Sequence, residues 1–363
     1  MRELQQAWPR PAHPRPIVVI GAGAIVRTAH LPAYRRLDLA VEGVFDIRPD
    51  QARGTAEQFG VPCVHGSLED AANVPDAVFD VAVPGDQVVG VLERLPDSAP
   101  VLIQKPMGAN LEEADRILAC CRRKRLIAAT NFQLRFAPGM LALHDLVCHH
   151  DLGRIVDVDV RVVIEQPWRN WTFMVGAPRV EIVYHSIHYI DAIRWLVGEP
   201  TGVYCRAVGH PATPELSDTR SSVILDYGNA LRCSLVLNHT HRGDASQKAS
   251  QIVVEGTTGI ARVTWGVNLD YPGGPADTLE TYAVSAKTEG QRPGWAPVPL
   301  RGSWFTEAFE GPMSNLQRFV AGDDAALVSP VDDAIKTMAV VEACYESSAR
   351  GGTPVRGQPP GIQ

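Results

Sequence analysis

The chain has 363 residues, 45% apolar and 21% charged, which is room for two domains with a sizeable core and too apolar for a disordered chain. Acidic residues outnumber basic ones by 41 to 34, for a formal charge of −7, which excludes a broad basic surface and with it nucleic acid as an expected partner. No apolar run approaches the roughly 18 residues of a membrane span, and seven cysteines without a Cys-x-x-Cys pair point to reduced thiols in a cytoplasmic protein. The opening MRELQQAWPRPAHPRP has no hydrophobic core of a secretory signal and reads as a proline-rich extended arm over residues 1–15. Ile17–Ile20 is a buried strand, followed by helical patterning to about Leu37 with a kink at Pro32. Val41–Asp46 is a second strand. Pro49–Phe59 is a helix opened by Pro49 and closed by Gly60. Phe79–Val83, Val101–Ile103 and Leu126–Thr130 are further strands, and the helix before the last opens on a capping-box-like Asn110-Leu111-Glu112-Glu113. The basic cluster Arg122–Arg125 suits the C-terminal end of that helix. Such alternation predicts a parallel sheet with helices on both faces.

The first strand runs into Gly21-Ala22-Gly23-Ala24-Ile25-Val26, a G-x-G-x-x-V turn. The first glycine permits the tight turn, and the second lets the backbone approach a pyrophosphate seated on the helix N-terminus. Val26 stands where a third glycine eases helix–strand packing. Asp46, at the end of the second strand, is placed to accept hydrogen bonds from adenosine ribose hydroxyls and to repel a 2′-phosphate. NAD is therefore the expected cofactor, ahead of NADP. Arg48 leaves that preference open, because it could stack on adenine, meet a phosphate or simply be solvated. The expected cofactor contacts begin with Gly21, Gly23, Ala24 and Ile25, continue with Asp46, Ile47 and Arg48, and include Pro84 and Gln87 beyond Val83, with Gln104 and Lys105 beyond Ile103. Asp86 and Gln87 also fit a plain helix start.

Val101-Leu102-Ile103-Gln104-Lys105-Pro106 resembles the Glu-Lys-Pro signature of the Gfo/Idh/MocA oxidoreductase family, with Gln104 in place of the glutamate. Matches in family order are Ala29-His30-Leu31-Pro32-Ala33, Asn131 to Pro138, His188 to Pro200, and Glu255-Gly256-Thr257-Thr258-Gly259. The resemblance spans roughly residues 16 to 349. It implies an α/β chain: an N-terminal NAD-binding Rossmann domain, residues 16–130, and a C-terminal α/β domain, residues 131–350, built on a large, mostly antiparallel sheet often used for oligomerisation. Residues 351–363 form a tail. It further implies an active site over the nicotinamide, carbohydrate-like small-molecule substrates, and a homo-oligomer, dimer or tetramer. In the second domain Arg154–Glu165, Val203–Val208, Ser221–Leu225, Leu231–Asn238 and Gln251–Glu255 read as strands, and Met313–Phe319 and Val331–Ser348 as helices.

Lys105, at the carboxyl end of a strand, is placed where burial lowers its pKa and lets it orient a substrate hydroxyl or share in removing its proton. Gln104 cannot hold it charged as a carboxylate would. Pro178–Val197 reads as one helix ended by Gly198, with Glu181, Tyr184 and His188 near one line. The resemblance makes His188 the general acid/base. Tyr184 and Ser186 replace the family's aspartate and glycine, so Tyr184 is a further catalytic candidate or an aromatic wall. His185 is either a substrate contact or a core residue. His185, His188 and Asp191 mimic a metal cluster, as do Cys148 to Asp151, but neither spacing supplies a clear ligand set, and no metal is expected. Trp168 and Trp171 in Trp168-Arg169-Asn170-Trp171 suit the apolar faces of a sugar, or equally a packing anchor. Asn131 and Arg135, at the domain junction, are placed to reach substrate. The reading is an NAD(P)-dependent dehydrogenase acting on a secondary alcohol of a sugar, polyol or cyclitol. Two others compete: redox-neutral epimerisation or glycoside cleavage with retained NAD, and a non-enzymatic cofactor-sensing regulator.

Overall fold

The computed structural model describes residues 2–284 and 294–355. Six strands, β1 (Ile17–Ile20), β2 (Val41–Phe45), β3 (Cys63–Val64), β4 (Val78–Val81), β5 (Pro100–Gln104) and β6 (Ile127–Asn131), form a parallel sheet in the order β3-β2-β1-β4-β5-β6. β1 and β4 bury every residue, as central strands covered on both faces must. The cover includes α1 (Leu31–Arg36), α2 (Pro49–Phe59), α3 (Leu68–Ala72), α4 (Gly85–Arg94) and α5 (Leu111–Arg123). At the start of α5, Asn110 Oδ1 accepts the Glu113 N–H at 2.9 Å, while Glu113 Oε2 accepts the Ala109 N–H at 2.8 Å, one residue further back than a capping box requires. The strand order reverses between β1 and β4, which opens a crevice beyond their carboxyl ends.

α6 (Pro138–Cys148) leads into a second sheet. Its strands are β7 (Ile155–Val163), β8 (Gly202–Val208), β9 (Arg220–Asp226), β10 (Arg232–Asn238), β11 (Ala249–Gly256), β12 (Gly259–Thr264), β13 (Thr278–Ala283) and β14 (Ala296–Val298), in the order β14-β13-β12-β11-β7-β10-β9-β8. Only the β7–β10 pair among these is parallel. One face is covered and the other open, so residues alternate: Ser221, Val223 and Leu225 are buried, Ser222 and Ile224 exposed. Sequence patterning missed β3, β12, β13 and β14. α7 (Ile187–Val197) and α9 (Val331–Arg350) pack with this sheet, whereas α8 (Glu310–Ala321) returns to the first and buries Met313 and Leu316 in one core with Ile17, Val19 and Ala129.

The expected single helix from Pro178 to Val197 is corrected. Helical structure starts at Glu181, because the Asp218 carboxylate accepts the N–H groups of Val180 and Glu181, at 2.8 and 3.1 Å, and sets the start there. It then passes through a wide i→i+5 turn, Ile182–Ser186, before α7. A second such turn, Val26–His30, precedes α1. Wide turns re-aim side chains inside helices. The arm crosses the molecule without regular structure: Trp8 Nε1 donates to Asp324 at 2.7 Å, and its ring meets Phe136 edge-on at 5.4 Å. Among the described residues no helix is long and apolar enough to cross a membrane.

Candidate active site

The loop after β1 is built for a diphosphate. Gly21 has φ +101°, and a Cβ there would stand 2.3 Å from the Ala82 carbonyl oxygen, so only glycine fits. Gly23 faces open space, with no atom within 4 Å of a would-be Cβ, which leaves room for a ligand at the start of the helix opening at Ala24 and Ile25. Val26 is fully buried, filling the helix–strand gap that a third glycine would leave open. Asp46 Oδ2 accepts the Ala22 N–H and Oδ1 the Arg48 N–H, both at 2.8 Å, so the carboxylate ties the end of β2 to the glycine loop and keeps lone pairs for ribose hydroxyls. Arg48 donates to Gln51 at 2.8 Å, and Ile47 is 87% exposed beside it. Pro84 and Gln87 are exposed at the start of α4, where Gln87 donates to Asp86 at 2.9 Å. These residues fit a dinucleotide.

Lys105 follows β5, its peptide bond to Pro106 cis. Its Nζ donates to the Tyr184 carbonyl oxygen at 2.6 Å, and burial brings its pKa down to about 8. His188, in the first turn of α7, is buried with Nδ1 unpartnered and its ring edge-on to Trp304 at 5.4 Å. Burial first, and then the Lys105 charge, hold its pKa well below the usual imidazole value. It is thus neutral near pH 7 and able to take a proton. His185 is also lowered, by burial, then by His239, Lys105 and His188.

The wide turn removes Glu181, Tyr184 and His188 from one line. Tyr184 presents its carbonyl to Lys105. Its phenol, raised by burial and then by Glu113 and Asp86, lies instead beside Phe173 and lines a hollow of about 400 Å³ with Asn110, Arg179 and Glu342. Glu181 turns inward, accepting from Ser186 and, at 2.6 Å, from Ser221. Trp168 is 7% exposed, packs with Met174, Val180 and Leu216, and donates to the His239 carbonyl at 3.0 Å. Of the two readings open for Trp168, a sugar face or a packing anchor, this burial fits the anchor, beneath His185, whose ring it meets edge-on at 4.9 Å. Trp171 is half-buried against His185 and Tyr271.

Arg135 is also corrected. Its guanidinium is buried and commits four of its five N–H donors, to Asp191 in a two-pronged pair at 2.7 Å, to Asp333 at 2.6 Å and to the Val328 carbonyl at 2.7 Å, so it is held as a structural hub between elements. Asn131 is buried too, with Nδ2 facing His30. Sequence reasoning missed Trp304, Tyr271, Tyr34 and Asp80. Asp80 carried a signal: a lone carboxylate within the apolar strand Val78–Val81 needs a buried partner.

The Gfo/Idh/MocA oxidoreductase model, described as an NAD-binding Rossmann fold, matches residues 15–132, and the GFO/IDH/MocA C-terminal domain matches residues 140–262. D-apiose dehydrogenase of Rhizobium rhizogenes is 20% identical over 86% of this chain and 89% of its own length. Inositol 2-dehydrogenase of Burkholderia cenocepacia is 28% identical over 61% of this chain and 71% of its own. Trans-1,2-dihydrobenzene-1,2-diol dehydrogenase of Sus scrofa is 27% identical over 59% of this chain, which spans 62% of that enzyme's length. A levoglucosan dehydrogenase solved with NADH and levoglucosan shares the fold, with a TM-score of 0.77 and 18% identity over 93% of this chain and 97% of that one. The two matched segments lie in series, the first on the parallel sheet and the second on the antiparallel one, and the chain belongs to the Gfo/Idh/MocA family of NAD-binding Rossmann oxidoreductases.

Proposed function

We propose that the protein is an NAD-dependent dehydrogenase acting on a secondary alcohol of a sugar, polyol or cyclitol. The observation that carries this reading is the shared, desolvated corner of Lys105 and His188, where the charge of one lowers the proton affinity of the other. When bound, NAD supplies the hydride acceptor, and the glycine loop with Asp46 would hold it. Lys105, tethered to the Tyr184 carbonyl, orients the hydroxyl. His188, neutral and with a free ring nitrogen, takes the hydroxyl proton or returns it in the reverse reduction. Trp171 offers an apolar face beside them. NAD over NADP rests on Asp46, whose charge opposes a 2′-phosphate. The open sheet face, with Tyr204, Ile224 and Val236 exposed, supports a homo-oligomer, which light scattering checks.

The deciding experiment is a thermal-shift screen of sugars, polyols and cyclitols with NAD present, followed by NADH absorbance on each hit. A ligand at about 100 times its dissociation constant adds about 2.7 kcal/mol of stability and is readily seen. Stable NADH formation supports the dehydrogenase. Turnover of a hit without NADH release favours the redox-neutral reading, and NAD binding with no turnover of any hit favours the regulator.

A further inference from the structure

The Lys105 main chain is tied to a buried polar chain running back through the first domain. Tyr34 donates its hydroxyl hydrogen to Asp80 Oδ2 at 2.8 Å, and His30 Nδ1 lies 2.8 Å from the same oxygen. All three side chains are buried. A carboxylate only accepts, so Nδ1 carries the ring hydrogen. On the other side of the ring, Gln104 Nε2 is 3.4 Å and Asn131 Nδ2 3.2 Å from His30 Nε2. The Gln104 amide cannot be reversed. Its Oε1 accepts the Lys105 N–H at 2.8 Å, and a backbone N–H only donates, so the amide nitrogen must face the imidazole. His30 Nε2 therefore offers a lone pair, and the ring is neutral. The groups facing it are Asp80 on β4, Tyr34 on α1, Gln104 on β5, Asn131 on β6 and, at 5.6 Å between ring centres, Phe309.

We infer that His30 and Gln104 are positioning residues for Lys105: Asp80 fixes the imidazole hydrogen on Nδ1, the free Nε2 lone pair orients the Gln104 amide, and that amide holds the Lys105 main chain at the end of β5. The presence of glutamine at 104 and the protonation state of His30 are then one feature. A carboxylate at 104 would set an oxygen against Nε2 and require a second proton on the ring, turning it into an imidazolium between two carboxylates.

The test is 15N spectroscopy of full-length, histidine-labelled protein with NAD present, with the His30 signals assigned by their loss in His30→Gln. The expected wild-type pattern near neutral pH is the neutral Nδ1–H ring, and Gln104→Glu converts it to the doubly protonated pattern at the same pH. An Nε2–H ring or an imidazolium in the wild type overturns the inference, as does a ring left neutral in Gln104→Glu. These spectra need no substrate, so they are read separately from the dehydrogenase reading on which the role of Lys105 rests. With a substrate from the screen, Gln104→Met lowers kcat by about tenfold or more with KM within about twofold, and Gln104→Glu, which still accepts the Lys105 N–H, recovers most of the loss. A kcat within about twofold in Gln104→Met overturns the positioning role. If Gln104→Met does not fold, the Gln104→Glu spectra decide.

Discussion

The Lys105 charge lowers the proton affinity of His188, so their proton transfers belong to the pair. General acid–base groups contribute about 10²–10⁴-fold, and Lys105→Met and His188→Asn should each reduce turnover on that order while NAD affinity by calorimetry stays near wild type. The double variant should lose little more than either single one, because a unit is broken only once. For alcohol oxidation the acting group must be unprotonated. Burial lowers the Lys105 ammonium to about 8, and loss of its charge raises the proton affinity of the neighbouring His188, so kcat should rise with pH and level off above an apparent pKa near that value. A profile flat between pH 6 and 9 would sink this assignment. Asp46→Ser should narrow the gap between NAD and NADP in titration calorimetry, and should also weaken NAD itself, because the serine loses the two-sided grip on the Ala22 and Arg48 N–H groups. Short motifs marked Lys105, His188 and Asp46 as candidates, since each sits next to a strand end or in a helix with its own local pattern. Arg135 was misread because its partners, Asp191 and Asp333, lie 56 and 198 residues away, and spacing along the chain carries no trace of such pairs.

Regular elements were read well where one period governs, as in Ile17–Ile20 and Pro49–Phe59. The segment before α7 was not, because apolar positions at helical spacing look the same whether a turn closes at i+4 or i+5. The extra residue in that turn separates Tyr184 from His188 in direction, and the Asp218 contact that delays the helix start comes from a loop some forty residues on. The tryptophan loop divides likewise: indoles three residues apart looked equivalent, but only Trp171 keeps an accessible face. Trp168→Ala should cost about 3–5 kcal/mol in urea unfolding, as for a large buried aromatic side chain, and should disturb His185. Trp171→Ala should leave stability within about 1 kcal/mol of wild type and raise KM with NAD affinity unchanged. Equal destabilisation by the two changes, with KM unmoved in Trp171→Ala, would make the whole loop a structural anchor.

At the scale of the molecule, the two sheets are joined beneath the site by buried charge. Arg135, in the turn after β6, binds Asp191 on α7 and Asp333 on α9, and Arg194 meets the same Asp333 at 3.0 Å. Thr337 donates to Asp191 at 2.8 Å. Asp191 lies three residues beyond His188 on the same helix, so this hub fixes how α7 lies against the first domain. Burial pushes the Asp333 carboxyl up, but Arg135 and Arg194 outweigh it and hold the group below the usual carboxylate range. A carboxyl lowered on folding contributes stability that is fully present above its ordinary value near 4 and is lost as pH falls through the folded value. Wild-type melting temperature should therefore drop as acid enters that window. Arg135→Met removes one of two cations from the hub and leaves the buried Asp191 carboxylate with Arg194 as its nearest cation, at 3.9 Å, which should cost about 3–5 kcal/mol at neutral pH. The loss should shrink as the pH is lowered towards 4, since protonation relieves the stranded carboxylates, so the melting temperatures of variant and wild type should converge. Enzyme kept folded at low temperature should show KM near wild type with any loss in kcat, because α7 carries His188 while Arg135 itself is buried against Asp191 and Asp333. A large rise in KM with unchanged stability would instead place Arg135 on the substrate.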